Sequence, residues 1–293
     1  MKYVCTDCPR MCGAIRDQYS GNGYCRMGIE PVAARAALHF DEEPVISGTR
    51  GSGAVFFTGC SLRCCYCQNY PISHENFGKP LSTIRLRQVY NELILQGAHN
   101  INLVNPTHFA EPILRSLQFP LSVPVIWNSS GYERVETLRR FEESVQVYLP
   151  DLKYIRAETA RKYSGAANYF EFAAPALKEM FRQVGPVRLD KNGLIQSGMI
   201  VRHLVLPGCA DESIEILDWI ADNLPGAWVS LMAQYVPCGK VEGVDELNRR
   251  ITQEEYDRVS NHLFELGLDD GFVQELSASD KQYIPPFDLS GVW

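Results

Sequence analysis

The sequence predicts an α/β protein whose strands lie parallel in one sheet. Two patterns carry this reading. Short, continuous apolar runs recur at residues 55–57, 101–104, 125–127, 145–149, 199–206 and 228–232, as strands buried on both faces require. Between and after them, apolar residues recur at helical spacing. Val89, Leu93 and Ile94 mark one helix; Tyr169, Phe172, Ala173, Ala176, Leu177, Met180 and Val184 mark a second; Ile214, Leu217, Ile220 and Ala221 mark a third; Tyr256, Val259, Leu263 and Leu266 mark a last. Strand–helix alternation gives right-handed crossovers and either an α/β barrel or an open sheet. Six βα units are too few for a full eight-stranded barrel.

The elements follow in order. Residues 1–30 form a Cys-rich segment, Cys5-x2-Cys8-x3-Cys12, with Cys25 after Gly21-Asn22-Gly23-Tyr24. Four thiolates near a tight turn suit a closed tetrahedral metal site, and so short a segment with little apolar content needs such a staple. Zinc is the first choice and an auxiliary iron–sulfur cluster the second, since Cys-Pro contexts (Cys8-Pro9) also occur in cluster proteins. A structural clip is preferred here over an electron relay. Residues 31–50 read as a linker with one short helix over 33–38. Residues 51–276 hold the strand–helix alternation. Residues 277–293, with Pro285-Pro286, read as an extended strap over the surface.

Composition bounds the rest. The chain has 293 residues, 45% hydrophobic and 22% charged, as in ordinary globular enzymes. No apolar run approaches ~18 residues, so no membrane span is expected. The start, Met1-Lys2-Tyr3-Val4-Cys5, lacks a signal-peptide layout, and a cytoplasmic protein is expected. Without secretion, ten cysteines mean metal or cluster chemistry rather than a disulfide framework. A net charge of −7 argues against a nucleic-acid partner.

The most informative stretch is Gly59-Cys60-Ser61-Leu62-Arg63-Cys64-Cys65-Tyr66-Cys67-Gln68-Asn69. Read as C-x3-C-x2-C, it supplies the thiolates of Cys60, Cys64 and Cys67 from one loop. Three close thiolates suit an iron–sulfur cluster or a soft metal. Structural zinc wants four closed ligands, so a trio with no local fourth donor suggests an open metal position. Cys65 does not fill it, because two adjacent residues rarely aim at one corner of a metal. A zinc knuckle completed from elsewhere, or thiols buried as small hydrophobes, is the bland alternative.

With its aromatic Tyr66 just before the last Cys, this loop resembles the signature of the radical S-adenosylmethionine (SAM) superfamily. With the flanks Val55-Phe56-Phe57-Thr58-Gly59 and Gln68-Asn69, most of the chain resembles relatives of the pyruvate formate-lyase activating enzyme. The resemblance implies a splayed, partial (β/α)6 barrel, a 4Fe–4S cluster on Cys60, Cys64 and Cys67, and SAM chelated to the free iron. It also implies reductive cleavage of SAM to a 5′-deoxyadenosyl radical, with flavodoxin or ferredoxin as reductant. Hydrogen would be taken from a substrate at the open side of the barrel. A protein or peptide segment, such as a glycyl-radical enzyme, suits that opening; a small metabolite, or a non-catalytic iron–sulfur or zinc scaffold or electron carrier, is the alternative.

Sites of parallel α/β proteins form at the carboxyl ends of strands. There this chain places Asn105-Pro106-Thr107-His108, Asn128-Ser129-Ser130-Gly131, Pro150-Asp151-Leu152-Lys153, Pro207-Gly208-Cys209 and Gln234-Tyr235. The resemblance assigns roles to them. Thr107 and His108 stand where relatives carry a Gly-Gly-Glu segment for the SAM amino group. Asn128 and Ser129 stand in place of an Asp-Thr-Asn-Gly segment. Asp151 and Lys153 match the family's Asp-x-Lys for ribose and methionine. Arg202, in Arg202-His203-Leu204-Val205-Leu206-Pro207-Gly208, matches a SAM-contacting arginine. Tyr66 would sit near adenine, with Asn69 following it, and Val236 replaces a family His. Cys209 and Cys238 after the fifth and sixth strands are candidates for a hydrogen donor or thiyl relay, or are incidental thiols.

Overall fold

The structure is a computed structural model that describes residues 3–278 and 285–293. Its strands are β1 (Tyr3–Val4), β2 (Ile15–Arg16), β3 (Val32–His39), β4 (Ser52–Phe57), β5 (Lys79–Pro80), β6 (Ile101–Val104), β7 (Val125–Ser129), β8 (Val147–Pro150), β9 (Arg188–Leu189), β10 (Ile195–Leu204), β11 (Trp228–Met232) and β12 (Gly271–Val273). Its helices are α1 (Pro44–Ser47), α2 (Tyr70–Ser73), α3 (Thr83–Leu95), α4 (Ala110–Ser116), α5 (Val135–Arg139), α6 (Ala157–Ser164), α7 (Tyr169–Val184), α8 (Ala210–Asn223) and α9 (Gln253–Glu265). This is a mixed α/β fold around one central sheet, ordered β12-β11-β10-β8-β7-β6-β4-β3-β5. From β4 to β12 every neighbouring pair along that order is parallel. The short β12 extends this run by one strand beyond the six expected. β1 and β2 pair by themselves within the N-terminal segment.

Alternation along each strand sorts side chains to two faces. Val55, Phe57, Leu103, Trp127, Tyr148, Val201 and Leu231 belong to the large core, together with buried residues of α3, α7, α8 and α9. The opposite face carries a separate cluster of Ile126, Val147, Leu149 and Ile200, filled by Ile46 of α1. Polar residues share that inner face: Asn102, Asn128 and Arg202 all bond to the Glu42 carboxylate. β6 and β10 stand three strands apart, ~14 Å in a flat sheet, so one carboxylate reaching both requires a concave face. The loops after β4 and β11 also meet, with Tyr66 and Tyr235 ring centroids 6.1 Å apart.

One expectation is corrected. The segment 31–50 is not a linker with a helix at 33–38. Val32–His39 is a strand of the central sheet, antiparallel to β4 and β5. Its alanines favour helix, but their backbone groups find partners on both sides, and tertiary pairing overrides propensity. The helix of this segment is α1, whose Ile46 is fully buried. Asn100 holds it, donating to the Ile46 carbonyl at 2.8 Å. Of the strap at 277–293, residues 279–284 lie outside the described residues. Beyond them, Leu289 N–H donates to Ala34 and Ala36 N–H to Ser290, laying the final residues along β3. No helix among the described residues is long and apolar enough to cross a membrane.

His203 shows how tightly the outer face is joined to its helices. Its Nδ1 lies 2.7 Å from the Leu152 carbonyl, which only accepts, so Nδ1 carries the proton. Nε2 then accepts from the Ser213 hydroxyl of α8 at 2.8 Å. Burial lowers the pKa of this imidazole from 6.5 to about 4. Below pH 6.5 the unfolded chain takes up a proton that the folded chain refuses, so stability falls with pH between 6.5 and about 4. The expected slope from this residue is roughly 1.4 kcal/mol per pH unit. Urea unfolding of wild type and His203→Gln at pH 7, 6 and 5 should show the variant losing that part of the dependence; parallel curves would refute it.

Candidate functional site

The site is built from the loop that leaves β4. Gly59 has φ +84°, and a Cβ there would stand 2.5 Å from the Met27 side chain and 3.0 Å from His108 Nε2; glycine lets the loop turn against the N-terminal segment. Cys60, Cys64 and Cys67 then line one cleft on the concave side of the sheet. Cys60 Sγ accepts from the backbone N–H of Leu62 and of Arg63, each at 3.3 Å. Cys67 Sγ accepts from the Ser73 hydroxyl at 3.3 Å. Burial, followed by the neighbouring Cys64 thiol, pushes Cys60 up and Cys67 up to about 12. Cys65 faces elsewhere: its backbone N–H donates to Tyr163, and its carbonyl accepts from Lys240 at 2.7 Å. Gly239 permits that second contact, because a Cβ there would lie 2.3 Å from the Cys65 oxygen.

Across the cleft stands a polar row from the ends of β7, β8 and β10. Lys153 Nζ donates to Asp151 Oδ2 at 2.7 Å and Arg202 Nε to Asp151 Oδ1 at 3.0 Å. Arg202 also donates to Asn128 Oδ1 at 2.6 Å and to Glu42 Oε2 at 3.3 Å. Burial opposes ionisation of Asp151, but Lys153 and then Arg202 outweigh it and hold the carboxyl below its usual range. Two buried polar atoms in residues of the cleft wall, Asn69 Oδ1 and Ser130 Oγ, have no partner. Such atoms are what a bound ligand satisfies. Tyr66 lines the same cleft, its hydroxyl 2.8 Å from that of Tyr154.

The structure therefore brings together Cys60, Cys64, Tyr66, Cys67, Asn69, Asn128, Ser129, Asp151, Lys153 and Arg202. It does not bring in Thr107, His108 or Cys209. Thr107 and His108 are fully buried in a 3-10 turn, Thr107–Phe109, behind the cleft. The Thr107 hydroxyl donates to Glu133, and His108 Nε2 donates to the Thr58 carbonyl. Burial lowers the His108 pKa to about 3, so it is a neutral packing residue. Cys209 precedes α8 and borders a separate small cavity, its thiol pushed up to about 11 by burial. Cys238 does line the cleft, donating to the Tyr66 carbonyl at 3.2 Å. Asn105, placed at a strand end by the sequence but given no role there, donates from Nδ2 to the Gly59 carbonyl at 2.7 Å while Oδ1 faces Cys60 Sγ at 3.9 Å. Its φ of +59° suits asparagine.

The N-terminal cysteines are arranged differently. Cys5, Cys8 and Cys25 are buried and Cys12 is exposed. Among the described residues no group of three or more His, Cys, Asp or Glu side chains is gathered to hold a metal ion. Zinc on Cys5, Cys8, Cys12 and Cys25, which would need four donors around one point, thus finds no support in this arrangement. What the segment does visibly is clamp the Cys loop. Arg10 donates to the carbonyls of Ser61, Leu62, Ser164 and Gly165 while its guanidinium lies 3.9 Å over the Tyr24 ring.

The donor set on the β4 loop does suit an iron–sulfur cluster. Cluster thiolates attach to separate irons and stand wider apart than zinc ligands, and N–H or O–H groups aimed at the sulfurs stabilise their charge. Leu62, Arg63 and Ser73 supply those groups. A positive metal would also offset the burial that raises Cys60 and Cys67.

Comparison with known proteins places the fold first. The chain shares an α/β fold with Streptococcus suis SuiB in its crystal structure bound to precursor peptide SuiA, at TM-score 0.51 and 10% identity, covering 74% of this chain and 46% of SuiB. A SuiB structure bound to S-adenosylmethionine aligns at TM-score 0.48 and 11% identity, over 74% of this chain and 48% of that one. The chain thus spans less than half of SuiB. No family model matches the chain. It is 31% identical over 277 residues to Uncharacterized protein MJ0674 of Methanocaldococcus jannaschii, covering 90% of this chain and 75% of that protein. The chain belongs to the family of that archaeal protein.

Removing the Arg202 guanidinium would leave Asp151 and Glu42 facing each other's charge with one cation fewer. Arg202→Ala should cost roughly 3–5 kcal/mol of unfolding free energy at neutral pH, read from urea midpoints. A loss under about 1 kcal/mol would mean solvent already screens the row.

Proposed function

We propose that this protein is a radical SAM enzyme built on a splayed partial barrel. The observation that carries the reading is the shared cleft: the C-x3-C-x2-C thiols and the Asp151, Lys153 and Arg202 row face one space at the carboxyl ends of parallel strands. The partial barrel is supported by the concave inner face and by the meeting of the loops after β4 and β11.

Cys60, Cys64 and Cys67 would hold a 4Fe–4S cluster with one iron left open. Bound there, such a cluster would supply the one electron that breaks the C5′–S bond of SAM into methionine and a 5′-deoxyadenosyl radical able to take hydrogen from the substrate. The chain's own residues bind and orient. Ionised Asp151 accepts from ribose hydroxyls, and Lys153 and Arg202 suit the methionine carboxylate. Asn69 Oδ1 and Ser130 Oγ offer unpaired polar atoms, while Asn128 and Ser129, whose polar atoms are already bonded, shape the wall beside them. Tyr66, fixed by Tyr154, gives a flat wall for adenine. Asn105, Leu62 and Arg63 surround the Cys60 sulfur and exclude water from it. A peptide substrate is supported by the fold shared with SuiB, which binds a precursor peptide. Flavodoxin or ferredoxin would supply the electron.

Anaerobic reconstitution with iron and sulfide tests this. Wild type should bind roughly four irons at the loop and form 5′-deoxyadenosine from SAM under dithionite. The Cys60→Ala/Cys64→Ala/Cys67→Ala variant should lose that iron, its reduced-cluster electron paramagnetic resonance signal and SAM cleavage. A fully loaded, reducible cluster that never cleaves SAM would sink the proposal.

A further inference from the structure

A second chamber opens on the same concave face, and Asn69, Asn128, Arg202, Met232 and Gln234 line both it and the cleft. Its floor is the segment between β3 and β4, which carries Asp41, Glu42 and Glu43. That floor is fixed in place by buried Ile46 and by the Asn100 bond to its carbonyl.

The charges there do not balance. Three carboxyl groups border the chamber, and Arg202 is its only Lys or Arg among the described wall residues. Arg202 is already shared among Asp151, Glu42 and Asn128. His39, also in the wall, is pushed down by burial and stays neutral near pH 7. Glu42 is saturated, with Asn102 and Asn128 on Oε1 and Arg202 on Oε2. Glu43 is not. Its side chain is buried, the residue is 8% exposed, and Oε2 has no partner. Burial pushes this carboxyl up, Arg202 offsetting part of the effect. The walls above the carboxyls mix the apolar Phe56, Met232 and Phe272 with polar residues such as Gln234 and Gln274. An apolar strip leading to an anionic floor matches a long side chain with a charged end.

We propose that this chamber receives a cationic group of the substrate, the ammonium or guanidinium of a basic residue, with Glu43 as its direct partner and Asp41 as a second charge. The inference rests on reading the adjoining cleft as the radical-generating site, because that reading makes the chamber's occupant the substrate.

The test is calorimetric titration of the reconstituted chain, without SAM or reductant. The probes are acetyl-Gly-Lys-Gly-amide, its Arg counterpart, its Nε-acetyl-lysine and Glu counterparts, and n-butylamine. The Lys or Arg peptide should bind at least tenfold tighter than the acetylated or Glu peptide. Glu43→Gln should remove most of that preference, and Asp41→Asn, at an exposed residue with little bearing on folding, should weaken it less. A peptide tighter than n-butylamine identifies a peptide source for the cation; equal binding identifies a small amine. Equal affinity for charged and neutral peptides, tightest binding of the Glu peptide, or a preference intact in Glu43→Gln would each overturn the proposal. If Glu43→Gln does not fold, the wild-type probe series and Asp41→Asn still decide it. Formation of 5′-deoxyadenosine by the same wild-type preparation reports separately on the cleft, so failure of one reading is distinguishable from failure of the other.

Discussion

The guanidinium of Arg202 is the interaction on which the inner face depends. Asp151, Asn128 and Glu42 converge on it from β8, β7 and the segment ahead of β4. Buried like-charged carboxylates would repel one another and lose their hydration. One planar cation with several fixed donors answers both problems and sets the directions of its neighbours. Arg202 also stands between the cleft and the second chamber, so the same group fixes the geometry of both.

Much of this was legible in the sequence, for a physical reason. Parallel strands buried on both faces must be continuously apolar, so the runs around β4, β6, β7, β8, β10 and β11 were readable, as was the Cys loop that follows β4. Residues whose meaning depends on distant partners were not. Val32–His39 reads as helix because four of its eight residues are alanine, and only pairing with β4 and β5 makes it a strand. Glu42 and Glu43 carried no signal, since an antiparallel β3 is what delivers them to the inner face. Thr107 and His108 obey the strand-end rule in sequence, yet a single 3-10 turn carries them behind the cleft. A rule about strand ends places backbone; the turn that follows decides which side chains face the space.

The N-terminal segment shows a similar division between composition and arrangement. Its four cysteines suggest one metal site, but Cys12 is exposed while the other three are buried. Its firmest contacts with the sheet domain are made by arginines. Arg10 grips carbonyls of the Cys loop, and Arg16 joins the His108 carbonyl to Cys25 Sγ. The segment therefore shapes the loop through hydrogen bonds to backbone, whatever its sulfurs hold.

The last residues of the chain bear on a different property. β5 pairs with β3 only at Val32 and Ala33, and the hydrogen bonds of Leu289 and Ser290 take up the next stretch, at Ala34 and Ala36. Phe287 packs on Phe56, and Lys79 lies 3.6 Å over the Trp293 ring. A bare strand edge is a template for pairing with another chain. The terminal residues thus cover the β3 edge, and a shortened chain would present that edge for self-association even with its inner face intact.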